Sequence, residues 1–248
     1  MTRLIILAAL VGVLAAGGQM TAVKAEEHGV RLTWQEGFVT IPGTCTNETI
    51  GDEDTLKNCL IPGPKNAKGK VPAVLFLHGC KGINTRQYSV MQLFTNNGYA
   101  TFMPDSFARS RPSLTCGRSS PELPFRFDEI NYALSEFRKI PWIDQKRLVL
   151  AGFSSGGLAV AEYQDYDFAF KTRVILGWGC YGGMSPTAVL VPFLNIVGEY
   201  DFETKFGNKL CINSEEGSVV KLVKAGHDVS ENSDSLTIIR DFLAKVLK

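Results

Sequence analysis

The sequence predicts a single α/β domain, built on a mostly parallel, doubly wound sheet with helices on both faces. Three observations carry this. From Pro72 to the carboxyl end, short apolar runs of strand length alternate with segments of helical hydrophobic spacing. Strands joined by helices need right-handed crossovers, which lay helices on both faces of a parallel sheet. Of the 248 residues, 45% are hydrophobic, enough for one sizeable core, and no linker interrupts the pattern. The 26 basic and 25 acidic side chains leave no charge bias, which excludes intrinsic disorder and a nucleic-acid-binding composition.

Residues 1–25 read as a secretory signal peptide preceding a domain over residues 26–248. Arg3 opens a basic start, Leu4 to Ala16 is apolar or glycine, and Val23-Lys24-Ala25 is a small-x-small cleavage pattern. That run is too short for a hydrocarbon core needing about 20 residues, so no membrane association is expected once the signal is removed. The expected location is periplasmic or secreted.

Val30 to Trp34 and Phe38 to Ile41 read as an antiparallel pair leading into the sheet. Pro72 to Leu77 is a buried strand ending at His78-Gly79, and Arg86 to Asn97 is a helix. Tyr99 to Met103 is the next strand, followed by a long loop from Asp105 to Pro124. Phe127, Ile130, Leu134 and Phe137 share one helix face. Arg147 to Phe153 is a strand, Ser155 to Gln164 a helix, and Arg173 to Trp178, Val191 to Val197 and Ser218 to Val223 are three more strands. Leu236, Ile239, Leu243 and Val246 mark a final amphipathic helix.

In such a sheet, function gathers at the carboxyl ends of the strands. Gly152-Phe153-Ser154-Ser155-Gly156 lies between a strand and a helix, the context that a Gly-x-Ser-x-Gly nucleophile elbow requires. Two further strand ends carry Gly198-Glu199-Tyr200-Asp201 and Ala225-Gly226-His227-Asp228. The order Ser154, Asp201, His227 is that of a hydrolytic triad: a hydroxyl needs an imidazole to take its proton, and the imidazole needs a carboxylate to orient it. Glu199 and Asp228 compete for the acid role, and chain order favours Asp201. Of the other two histidines, His28 lies near the mature amino terminus and His78 reads as a structural hydrogen-bonding group. The amides of Ser155 and of Cys80, in the turn His78-Gly79-Cys80-Lys81-Gly82, are candidate oxyanion donors.

Together with Met103-Pro104-Asp105-Ser106-Phe107-Ala108-Arg109, these motifs resemble the dienelactone hydrolase family of the α/β-hydrolase superfamily, from about Pro72 to the carboxyl end. The resemblance implies the α/β-hydrolase fold, Ser154 as nucleophile with Asp201 and His227, oxyanion donors at Cys80 and Ser155, and Arg109 as a carboxylate binder. Three positions depart from the family: Ser154 stands in place of a cysteine, Gly79 in place of a glutamate, and Glu231 in place of a second arginine. Arg109, Arg111 and Arg118 in the long loop admit an anionic substrate group, although solvated arginines are an equal reading for the last two. The short connection between Trp178 and Val191 leaves no room for a large lid, so an open pocket edged by Trp178 and Tyr181 is expected.

The six cysteines all lie beyond residue 25, and an even count after a signal peptide favours disulfides. Placement on the fold suggests Cys45 with Cys59, Cys180 with Cys211, and Cys80 with Cys116. Only three histidines are present, with no Cys-x-x-Cys or His-x-x-x-His spacing, so neither a metal nor another cofactor is implied. The expected activity is hydrolysis of a small-molecule carboxylic ester or lactone. The alternatives are acyl transfer or peptide cleavage on the same triad, and an inactive binding protein on a hydrolase scaffold. The sequence leaves the oligomeric state open.

Overall fold

The computed structural model describes residues 28–65, 67–109, 123–180, 183–201, 210–211 and 216–247. The proposed signal peptide, Tyr181, Cys116, Arg111 and Arg118 therefore lie outside the described residues. Among the described residues eight strands form one sheet: β1 (Phe38–Ile41), β2 (Cys45–Thr49), β3 (Val71–Leu77), β4 (Ala100–Met103), β5 (Ile143–Phe153), β6 (Phe170–Leu176), β7 (Phe193–Gly198) and β8 (Val219–Val223), in the order β2-β1-β4-β3-β5-β6-β7-β8. From β4 to β8 every pairing is parallel, and β1 joins that edge antiparallel to β4.

Alternation along the strands sorts the core into two layers. Ala73, Leu75 and Leu77 of β3 face one apolar cluster, while Val74 and Phe76 face the other. The first layer packs against α1 (residues 28–35), α4 (Leu123–Lys139) and α5 (Ser155–Glu162), through Trp34, Ile130, Phe137 and Leu158. The second packs against α3 (Thr85–Asn96) and α6 (Ser233–Val246), through Val90, Phe94, Ile239 and Phe242. The doubly wound arrangement expected from the sequence is thus observed. Among the described residues no helix is long and apolar enough to cross a membrane.

One expected strand is a helix. Val30 to Trp34 lies in α1, and β1 instead pairs antiparallel with β2, which is followed by a short helix α2 (Glu53–Thr55) and a π turn (Leu56–Leu60). Val30, Thr33 and Trp34 are the buried positions, which is helical rather than alternating spacing, and Trp34 stacks on Phe102 of β4 with ring centroids 5.5 Å apart.

Arg173 of β6 is almost fully buried at the carboxyl end of α5. Its Nη1 donates to the carbonyls of Val160 and Tyr163 at 2.6 and 2.8 Å, satisfying groups that a helix end leaves unpaired. Burial brings its pKa down to about 10, so it remains a cation at neutral pH. Arg173→Leu is expected to lower the unfolding free energy by about 2 kcal/mol, because the buried Val160 carbonyl loses this donor and the Tyr163 carbonyl keeps only the Ser185 hydroxyl. Urea denaturation measures it, and a change below about 0.5 kcal/mol would show that the carbonyls find other partners.

Two of the cysteine expectations differ in outcome. Cys180 and Cys211 are bridged, with Cα atoms 5.0 Å apart. Cys45 and Cys59 are not: both are free thiols, although a hydrogen bond links the two side chains. The π turn carries Cys59 into the core beside β2, giving proximity and burial without a covalent link; burial first, then Cys59, pushes the Cys45 thiol well up. Cys80 is disulfide-bonded, and its expected partner Cys116 lies outside the described residues.

Candidate active site

The turn from β5 into α5 holds Ser154 at φ 55°, ψ −117°, a left-handed conformation that an L-residue occupies at a cost of about 1–3 kcal/mol. The residues around it permit the bend. A Cβ on Gly156 would sit 2.7 Å from the His78 carbonyl oxygen, so only glycine lets α5 approach the end of β3 this closely. The bend lifts the Ser154 side chain above the sheet edge and leaves the Ser155 amide at the first turn of α5, where helix geometry leaves N–H groups unpaired.

The ends of β7 and β8 supply two more groups. A Cβ on Gly198 would meet the Ala225 carbonyl at 2.6 Å, and this close approach draws the two loops together. Asp201 is buried, while the His227 side chain is 42% exposed. The His227 ring bridges the pair: Nδ1 lies 2.8 Å from Asp201 Oδ2, and Nε2 lies 2.8 Å from Ser154 Oγ. A carboxylate accepts only, so the proton between them belongs to Nδ1, and Nε2 is left to accept from the serine hydroxyl. Phe153 packs against the same ring at 5.3 Å between centroids.

The competing acids are placed elsewhere. Glu199 is exposed, and its amide completes the turn by donating to Val223. Asp228 accepts from the Ser230 amide and from Arg86 Nη1 at 3.2 Å, turned toward α3.

Ser154 opens into a cavity of about 540 Å³ whose lining includes Gly79, Cys80, Ser155, Trp178 and His227. Four of the residues expected at the site from sequence, Cys80, Ser155, Trp178 and His227, thus meet around Ser154. Arg109 does not: its guanidinium lies over the Phe125 ring, 4.5 Å from the centroid, and among the described residues it does not line this cavity. Sequence reasoning missed Lys81, Asn84, Arg86 and Gln87, which also line the cavity. Their signal was the capping box Asn84-x-x-Gln87, which starts α3 at the carboxyl edge of the sheet. Among the described residues no cluster of potential metal ligands occurs.

Trp178 is held from behind. Asn195 of β7 donates to the Trp178 carbonyl at 2.8 Å, and the Cys180–Cys211 bridge fixes the chain two residues on. Replacing both cysteines by serine is expected to cost about 2–4 kcal/mol of stability and to raise KM as the Trp178 wall loosens. Denaturation and steady-state kinetics of the double variant check both effects, and an unchanged unfolding midpoint would deny the bridge its structural role.

No family model matches the chain, and no curated protein matches it in sequence. Solved structures do. A protein of Klebsiella pneumoniae subsp. pneumoniae assigned as a dienelactone hydrolase superposes with a TM-score of 0.50 at 17% identity, covering 73% of this chain and 90% of that one. Est1E from Butyrivibrio proteoclasticus gives 0.48 at 15% identity over 74% and 90%, and esterase PE8 gives 0.48 at 15% over 72% and 94%. With the sheet order and the helices on both faces, the first of these likenesses gives the chain the α/β-hydrolase fold.

Proposed function

We propose that the protein is a serine hydrolase that cleaves small carboxylic esters or lactones through an acyl-enzyme. The observation that carries this reading is the hydrogen-bonded chain Asp201, His227, Ser154, with both links at 2.8 Å, at the mouth of a cavity. In the proposed cycle Ser154 Oγ attacks the carbonyl carbon while His227 Nε2 takes its proton. The oxyanion is met by the Cys80 and Ser155 amides, then collapses as His227 protonates the leaving alkoxide. Water, activated by the same imidazole, releases the acid and restores the serine.

The cavity lining combines Phe153 and Trp178 with Lys81, Asn84 and Arg86, which suits a short acyl or ring substrate with a polar end. An anionic end could be met by Lys81 or Arg86 rather than by Arg109. The neighbour from Klebsiella is assigned as a dienelactone hydrolase, but the departures at Ser154, Gly79 and Glu231 favour simpler esters for this chain. The Cys180–Cys211 bridge and the amino-terminal pattern support a periplasmic or secreted enzyme.

A fluorophosphonate probe followed by peptide mapping tests the reading, together with a screen of p-nitrophenyl acetate, p-nitrophenyl butyrate and simple lactones. Labelling confined to Ser154, with turnover of at least one short ester, is expected. Folded protein that neither labels nor turns over would favour the binding-protein alternative.

A further inference from the structure

We infer that His78 is a positioning residue for the oxyanion site: its ring holds the Gly79 carbonyl, and through that peptide it aims the Cys80 amide. The inference rests on the reading of Ser154 as the nucleophile.

The argument starts from one peptide plane. The Gly79 carbonyl and the Cys80 N–H belong to the same trans peptide, so they point in opposite directions. Whatever fixes the carbonyl therefore fixes the direction of the amide. His78 Nδ1 lies 2.7 Å from the Gly79 oxygen. A carbonyl can only accept, so Nδ1 carries the proton. The other nitrogen is assigned independently, because the Ser106 backbone N–H donates to Nε2 at 3.0 Å and Nε2 must be bare. Both contacts require the same neutral tautomer. Burial, then the neighbouring Arg126 guanidinium, hold the ring well below its usual pKa range, in keeping with that state.

Behind the ring lies a buried polar group drawn from three elements. Arg126 Nη2 donates to the His78 carbonyl, and Arg126 Nη1 donates to Ser106 Oγ and, at 3.1 Å, to Glu129 Oε2. The Ser106 hydroxyl donates to the same Glu129 oxygen at 2.7 Å. The Arg126 and Glu129 side chains are 3% and 1% exposed. An ion pair this deep is a poor source of net stability, since desolvation of both charges offsets their attraction. What it does supply is geometry: the carbonyl before the turn, the ring and the loop carrying Ser106 are all locked to α4. The turn they hold packs on the elbow itself, Gly79 against Phe153 and the His78 carbonyl against Gly156.

Two measurements test the inference. In wild-type protein labelled with ¹⁵N in histidine, the His78 ring is expected to show a protonated Nδ1 and a bare Nε2; a proton on Nε2 overturns the inference without any variant. His78→Leu removes both ring contacts and is expected to lower kcat about 10²-fold, near the loss typical of one oxyanion donor, with KM within about threefold. A boronic acid that mimics the tetrahedral intermediate should weaken in parallel. His78→Asn keeps a donor close to the Nδ1 position and should recover at least tenfold of the kcat lost. A folded His78→Leu protein with kcat within threefold of wild type overturns the inference, as does a loss in both variants that follows only their melting temperatures. Ser154→Ala run alongside separates the failures: if it keeps turnover the nucleophile reading falls, and if it alone is dead only the role of His78 falls.

Discussion

Ser154→Ala is expected to abolish turnover, on the order of 10⁶-fold in kcat if the triad acts as a unit, with the fold retained. The change deletes the hydroxyl that lies 2.8 Å from His227 Nε2 and leaves the cavity, the Asp201 carboxylate and the proposed oxyanion amides in place. Residual activity within tenfold of wild type would remove Ser154 as nucleophile. The same position carries a second expectation of opposite sign. At φ 55°, ψ −117° glycine is unstrained, so Ser154→Gly should be equally inactive yet more stable than Ser154→Ala by about 1 kcal/mol. Thermal unfolding of the two variants compares them directly, and equal midpoints would mean that the elbow stores no strain.

Asp201→Asn is the second large effect, a loss of about 10⁴ in kcat by analogy with the equivalent change in a serine protease. The carboxylate accepts from His227 Nδ1, which leaves Nε2 bare for the serine proton. An amide at position 201 can instead donate to Nδ1, pushing the ring proton to Nε2, where the base is needed. Asp201 is buried and close to isosteric with asparagine, so the structure should survive. Kinetics of Asp201→Asn beside Glu199→Gln decide the acid; a greater loss from the exposed Glu199 would reverse the assignment.

How much of this was legible from sequence follows from where each signal sits. The strands β3 to β8 and the helices between them announce themselves through apolar runs broken by turn residues, all within a few positions of chain. The turn around Ser154 is equally local, since the glycines at 152 and 156 flank Ser154 and are required by its backbone bend. Asp201 and His227 are also local in character, each lying just past a strand end. The segment Val30 to Trp34 was misread because five residues fit two periods: Val30, Leu32 and Trp34 alternate, while Val30, Thr33 and Trp34 share a helix face. The packing of Trp34 on Phe102, some 70 residues away, and on Tyr132 and Phe137 of α4 favours the helix.

The sequence by itself determined the fold class and singled out Ser154, Asp201 and His227 at the carboxyl edge as the proposed triad, because periodicity and turn chemistry are properties of neighbouring residues. Only the tertiary structure decided the cavity wall at the start of α3, the placement of Arg109 over Phe125 rather than in the pocket, the unbridged state of Cys45 and Cys59, and the group formed by His78, Ser106, Arg126 and Glu129. Those features depend on hydrogen-bond distances between elements far apart in the chain, and no pattern of adjacent residues encodes which buried donor will meet which acceptor.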